Sequence, residues 1–287
     1  MIVNFFKRGK HGCALVASLV LLLSSTHVFS ASRHTKPADV IKKTTARIAI
    51  VIDDIGYQSS DQLLLNIDAP LSYAVLPHTP LGYRYALQAT KNNRDVLIHL
   101  PMQADHNNHL LGSGALTSKM NKVEYQQTLL SAMEDIPFAI GINNHMGSLL
   151  TRMEQPMRWT MEVLQQHNMF FLDSKTTRHS KVEQLAKQFG VTSLNRNIFL
   201  DHSREKRHME HQFQRLINIA QNYGSAIGIG HPYKETYELL QVKLPQLQKL
   251  GIEVVPISVL LTPNAGLVNN RKAPKDNIEQ RARSESE

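Results

Sequence analysis

The sequence predicts an α/β fold, a barrel-like domain of seven or eight mostly parallel strands alternating with helices. Three observations point there. Ile48, Ala49, Ile50, Val51 and Ile52 form an unbroken apolar and mostly β-branched run, the pattern of a strand covered on both faces in a parallel sheet. Strand-like and helix-like stretches then alternate with no break in composition, the order of successive βα units. No Gly-rich phosphate fingerprint follows the first run, which favours a barrel over its rival, a doubly wound nucleotide-binding sheet.

Each element has a local reason. The first strand stops at Asp53, Asp54 and Gly56, and a short helix is expected at 59–66 with Ser59 or Ser60 as N-cap. A second strand at 71–76 ends at Pro77 and leads to a helix at 82–92. The third strand, 95–100, carries His99 and is stopped by Pro101. A His-, Asn- and Gly-rich loop at 103–119 is long enough to cover a substrate. A helix at 122–135 precedes a fourth strand at 138–142, which ends at Asn143, Asn144 and His145. A helix at 155–167 leads to a fifth strand at 169–172, ending at Asp173 and Lys175. After a helix at 181–189, a less regular segment at 191–200 ends at Asp201 and His202. The 205–222 stretch places Phe213, Leu216, Ile217 and Ala220 at helical spacing. A small-residue strand at 225–230 ends at His231, a helix at 234–250 stops at Gly251, and the last strand is 252–257.

The flanks differ from this domain, expected at 46–263. Lys7, Arg8 and Lys10 precede an apolar stretch from Cys13 to Leu23, and Val28 and Ser30 suit a cut after Ser30. Residues 1–30 therefore read as a signal peptide, too short in its apolar part for a membrane span of about 20 residues. Export follows, to the periplasm first of all, with retention as an N-terminal anchor as the rival. Residues 31–45 read as a flexible linker and 264–287 as a disordered polar tail. The one cysteine, Cys13, lies in the signal, which excludes disulfides and thiolate sites from the mature chain. Three of the eight net positive charges also lie there. The remainder is scattered without an Arg/Lys stripe, which gives nucleic-acid binding little support.

The polar residues fall at strand ends. Asp53, Asp54, His99, Asn143, Asn144, His145, Asp173, Asp201, His202 and His231 all stand where strands finish, and in a parallel barrel those ends share one face. Aspartate with histidines and no thiolate is a ligand set for Zn²⁺ or another borderline divalent metal with open positions. One Asp can bind while the other serves as base, and a further His can protonate a leaving group. Adjacent strand residues point to opposite faces, so Asp53 and Asp54 can share a pocket only where the strand is ending. His208 and His211, three apart on a helix, are read as a solvated face rather than a metal clip, His106 and His109 as exposed loop, and Trp159 as packing.

Ile52-Asp53-Asp54-Ile55-Gly56-Tyr57, His99-Leu100-Pro101-Met102, Gly141-Ile142-Asn143-Asn144-His145-Met146-Gly147-Ser148, Phe171-Leu172-Asp173-Ser174 and Gly228-Ile229-Gly230-His231-Pro232 resemble, in order, the motifs of the divergent polysaccharide deacetylase family. This is the YibQ-like branch, distantly related to NodB-type deacetylases, and the resemblance spans residues 47–263. It implies a NodB-like incomplete (β/α) barrel that uses a divalent metal, zinc first, to remove N-acetyl groups from a glycan. By that resemblance Asp53 is the catalytic base, Asp54, His99 and His145 are metal ligands, and His231 is the general acid. Asp173 orients His231, and Asn143 and Asn144 hold the site or bind substrate. NodB-type enzymes carry their metal histidines four positions apart; position 103 here is Gln103, so the second histidine is assigned to His145. The alternative is a non-catalytic envelope protein that keeps the pocket to bind glycan or to regulate a cell-wall hydrolase.

Overall fold

The computed structural model describes residues 46–261. The expected signal peptide, linker and tail lie outside the described residues. The strands are β1 (Ala46–Ile55), β2 (Ser72–Val75), β3 (Val96–Met102), β4 (Gly141–Met146), β5 (Phe170–Asp173), β6 (Ser193–Asn195), β7 (Ile198–Phe199), β8 (Ser225–Gly230) and β9 (Ile252–Val254). The helices are α1 (Gln62–Leu65), α2 (Gly82–Lys91), α3 (Lys122–Asp135), α4 (Glu154–Gln166), α5 (Val182–Phe189), α6 (Lys206–Tyr223) and α7 (Lys234–Leu247).

The strands form one sheet in the order β6-β5-β4-β3-β2-β1-β8-β7, with β9 also paired to β1, and every pairing is parallel. The β6 and β7 strands stand at the two ends of this order, yet only Arg196 and Asn197 separate them in the chain. The irregular 191–200 segment is thus one interrupted strand that reaches both edges of a curled, incomplete barrel.

Alternation along the strands sorts the side chains into two cores. Ile48, Ile50 and Ile52 of β1 join Ile98, Ile142 and Phe171 in an outer core shared with Leu64, Ala86, Leu129, Met157, Leu185 and Leu216 of the helices. Ala49 and Val51 join Ala74, Leu97, Leu172, Ile227 and Ile229 in an inner core made of strand residues and the 255–257 segment. This is the division that a period of two imposes on a sheet buried on both faces.

Several boundaries differ from the sequence reading. The third strand does not stop at Pro101 but runs on to Met102. The fourth strand starts later and runs through the polar residues, because β4 pairs with β3 from Leu97↔Gly141 to Met102↔Met146. The first helix is a 3₁₀ turn, Ser59–Asp61, followed by the single turn of α1. Neither serine caps it. Asp61 does the holding, accepting the backbone N–H of Gly56 at 2.9 Å and of Gln58 at 3.2 Å. The last strand ends at Val254 because Pro256 cannot donate to a ladder, and a 3₁₀ turn, Ile257–Leu260, comes next.

Gly56 is required where β1 turns away. Its φ is +137°, and a Cβ there would lie 2.2 Å from Thr79 Oγ1. Gly56→Ala is therefore expected to cost about 2–4 kcal/mol of unfolding free energy, combining backbone strain with overpacking. The check is the urea midpoint of the purified domain. An unchanged midpoint would mean that this turn tolerates a side chain.

Candidate metal centre

Parity on the strands selects the residues that reach the site. Asp53 continues the inner series Ala49–Val51, His99 follows Leu97, and His231 follows Ile227 and Ile229. On β4, Asn143 and His145 take the inner face because Ile142 packs outward. Asp54 has the wrong parity. It reaches the same pocket because its backbone inverts, with φ +59°, at the point where β1 slips register against β2 between Ile52 and Ile55. Aspartate tolerates that left-handed conformation better than most residues.

The result is a tight triangle of donor atoms. Asp54 Oδ1 lies 3.0 Å from His99 Nε2 and 3.1 Å from His145 Nδ1, and the two ring nitrogens are 3.1 Å apart. Among the described residues this is the one group of Asp, Glu, His or Cys side chains arranged to hold a metal. The outer ring nitrogens are occupied elsewhere. His99 Nδ1 faces Asn143 Oδ1 at 2.9 Å, and His145 Nε2 points at the Leu110 carbonyl at 3.5 Å. A neutral imidazole has one N–H; spent on those acceptors, it leaves both inner nitrogens as lone pairs. Asp54 Oδ1 is buried and makes no hydrogen bond. Three electron pairs thus converge with no proton between them, which is a fit to a cation. The spacing is close to that of donors on one ion, since tetrahedral donors about 2.1 Å from zinc lie about 3.4 Å apart, a few tenths of an ångström wider than the contacts here.

Asp53 stands beside the triangle without joining it. Its Oδ1 accepts from Asn143 Nδ2 at 2.8 Å, and its Oδ2 is 3.7 Å from His99 Nε2. Asn143 thereby links the two, accepting from the His99 ring and donating to Asp53, so that one buried amide fixes the tautomer of a ligand and the orientation of its neighbour. Burial raises the Asp53 pKa above the ordinary carboxylate value, against the opposing pull of His99 and His231.

His231 is anchored by Asp201. Asp201 Oδ1 accepts from His231 Nδ1 at 2.8 Å and Oδ2 from the His231 backbone N–H at 2.6 Å. The imidazole packs against the Phe199 and Tyr233 rings, with centroids at 5.9 and 5.7 Å. Burial pushes its pKa down, but the Asp201 hydrogen bond and charge, with Asp54 and Asp53 behind them, carry it up to about 9.

This corrects the expected role of Asp173. That residue continues the Phe171 series, which packs outward, and its carboxylate accepts from the Lys175 backbone N–H at 2.8 Å and pairs with Lys175 Nζ at 3.2 Å. Of the two uses expected for Asn143 and Asn144, holding the site or binding substrate, the structure displays the first, since both are buried and their amides are used internally. Asn144 accepts from the Ser174 N–H at 2.9 Å and donates to the Met146 carbonyl at 2.8 Å, tying β4 to the turn after β5.

Other candidates separate from the site. His202, His106 and His109 are exposed, His208 bonds to Gln212, and Trp159 packs edge-on against Tyr125. Gln103 Oε1 accepts the Ser118 N–H at 2.7 Å, so the residue standing where a histidine was sought closes the base of the long loop. Asp201 was placed on the rim by the sequence but given no role, and Phe199, Tyr233 and Arg196 were passed over. Arg196 donates to the carbonyls of Ser174 at 2.6 Å and Lys175 at 3.0 Å, and its guanidinium lies 3.7 Å over Phe199. The signal for Asp201 was present, because Leu200-Asp201 repeats the Leu172-Asp173 strand ending.

The site opens into a cavity of about 300 Å³ lined by Asp54, His145, Tyr57, Leu110, Leu111 and Tyr233 among others. An open cleft of about 580 Å³ beside it, lined by Asp105, His106, Met146 and Ser148, holds none of the ligand residues. Among the described residues no helix is long and apolar enough to cross a membrane.

Comparison with known proteins agrees with this architecture. The model of the divergent polysaccharide deacetylase family matches residues 50–261. The Escherichia coli (strain K12) protein YibQ is 36% identical over 233 residues, covering 81% of this chain and 72% of that protein. The crystal structure of Agrobacterium tumefaciens C58 protein ATU2773 matches with a TM-score of 0.72 at 20% identity, over 75% of this chain and 89% of that one. The Bc1960 peptidoglycan N-acetylglucosamine deacetylase shares the fold with a TM-score of 0.50 at 12% identity, over 76% of this chain and 89% of that one. With most of its described length matched by the family and its strands in the order that carries the motifs, the chain belongs to the divergent polysaccharide deacetylase family.

Proposed function

We propose that the protein is an exported, metal-dependent hydrolase that removes N-acetyl groups from an envelope or wall polysaccharide. The observation that carries this reading is the Asp54–His99–His145 triangle, with an unligated carboxylate on one side and an anchored imidazole on the other. Family membership supports a glycan as the substrate class, and the basic-then-apolar stretch at 1–30 supports export to the periplasm.

The donor set of one oxygen and two nitrogens suits zinc best among common ions. A divalent ion held by Asp54, His99 and His145 would supply Lewis-acid polarisation of the acetamide carbonyl. The residues of the chain do the rest. Asp53 takes the proton of the attacking water on Oδ2, the oxygen not engaged by Asn143. Its raised pKa makes it a better base than an exposed carboxylate. His231 gives a proton from Nε2 to the departing amine, because Nδ1 is committed to Asp201. Tyr57, Leu110 and Tyr233 form an apolar rim suited to a sugar ring and its methyl group.

The alternative, a glycan-binding or hydrolase-regulating protein without turnover, drew its support from Gln103. That support weakens because His145 supplies the third donor and Gln103 has a structural use. Metal analysis and acetate release from chitooligosaccharide or peptidoglycan separate the two. Asp54→Ala is expected to lose stoichiometric metal and at least about 100-fold in acetate release, with its circular dichroism retained. Full activity in that variant would remove the metal from the reaction.

The pH dependence has a defined sign. An acid that must be protonated is lost as pH rises through its pKa, so acetate release is expected to decline as pH passes about 9. In Asp201→Asn the anion that favours the imidazolium is gone, and this alkaline limb is expected to move down toward the ordinary histidine value of about 6.5. A limb that does not move would take Asp201 out of the role given to it.

A further inference from the structure

Asp201 orients His231, and Asp201 is itself held from behind. Thr236, in the first turn of α7, is fully buried, and its Oγ1 donates to Asp201 Oδ2 at 2.6 Å. With the His231 backbone N–H at 2.6 Å on the same oxygen and His231 Nδ1 at 2.8 Å on the other, the carboxylate receives three donors. A carboxylate gripped at both oxygens cannot rotate about its Cβ–Cγ bond without losing a buried hydrogen bond.

The backbone makes room for this contact. A Cβ on Gly230 would lie 3.0 Å from Thr236 Cγ2 and 3.4 Å from Asp201 Oδ2, so the end of β8 is kept bare where the helix and β7 meet it. The ring of His231 packs against Phe199 and Tyr233, and with Nδ1 on Asp201 its one uncommitted ring nitrogen is Nε2. The charged and titratable groups that act on this ring are Asp201 beyond β7, Asp53 and Asp54 on β1, and Tyr233, over which Arg204 lies at 5.1 Å.

We propose that Thr236 is a positioning residue for the proton donor: its hydroxyl fixes Asp201 in the orientation that grips His231 at both Nδ1 and the backbone. The part of this inference that concerns rate rests on the deacetylase reading; the part that concerns the imidazole does not. Without the hydroxyl, Asp201 Oδ2 keeps one donor, the carboxylate gains a rotation, and the ring loses its fixed partner. An effect on a proton transferred only in the transition state falls on kcat rather than KM.

The test compares Thr236→Val, which keeps the shape and removes the donor, with Thr236→Ser, which keeps the donor. ¹⁵N NMR of the substrate-free protein follows the titration of the His231 ring, and acetate release gives kcat and KM. Unfolding midpoints establish that both variants are folded. In Thr236→Val the His231 titration is expected to move down from about 9 toward its ordinary value, with kcat lowered about tenfold and KM held. Thr236→Ser is expected to restore both. A native titration in Thr236→Val, or Thr236→Ser behaving like the valine variant, would overturn the proposal. If the native protein releases no acetate from any N-acetylated glycan, the deacetylase reading fails, while the His231 titration still decides the role of Thr236.

Discussion

The inverted backbone at Asp54 is the constraint on which the rest of the site depends. In a regular strand Asp53 and Asp54 would face opposite sides of the sheet, one toward the inner core and one toward the helices. A left-handed residue costs about 1–3 kcal/mol, and the slip of β1 against β2 concentrates that cost at one position. The inversion divides the labour between neighbours: one carboxylate enters the triangle with His99 and His145, and the other stands clear of it on Asn143. Asp61 and Gly56 hold the outgoing chain immediately afterward.

Around that pair, the inner faces of the strands change character along their length. Apolar residues fill the barrel lower down, and at the rim the same columns end in Asp53, His99, Asn143, His145 and His231. Buried ionisable groups are costly unless each is paired. Here Asp53 has Asn143, His231 has Asp201, and Asp201 has Thr236. Two buried carboxylate oxygens among the described residues lack a hydrogen bond, Asp173 Oδ2, which has the Lys175 ammonium at 3.2 Å, and Asp54 Oδ1, which faces only the two imidazoles. An orphan acceptor facing two imidazole lone pairs is an arrangement that a cation relieves.

Much of this was legible in one dimension. Apolar runs marked the strands, and their polar endings marked one rim, because parallel strands finish on one face; the choice of Asp53, Asp54, His99, His145 and His231 among those endings came from the resemblance to the deacetylase motifs. What was hidden is what depends on parity and on distant pairing. Asp173 and Asp201 both follow a leucine at a strand end, but Asp173 lies in the outward series of Phe171, and Asp201 meets His231 thirty residues away. Asn143 and Asn144 read as a loop because polar residues end most strands, whereas β3 carries them through as strand by register. Gln103 could be read only as a missing histidine until its bond to Ser118 was seen. The break between β6 and β7 has no local cue, since it is set by two different neighbouring strands.

The central claim is that Asp54, His99 and His145 form a metal site from which Asp53 is excluded. X-ray absorption at the zinc edge, on zinc-loaded native protein and on Asp53→Asn, tests it most directly. The expected result is one ion with two imidazole nitrogens and one carboxylate oxygen at about 2.0–2.2 Å, unchanged in Asp53→Asn. A first shell with fewer than two imidazoles, or one that loses a ligand in Asp53→Asn, would contradict the assignment.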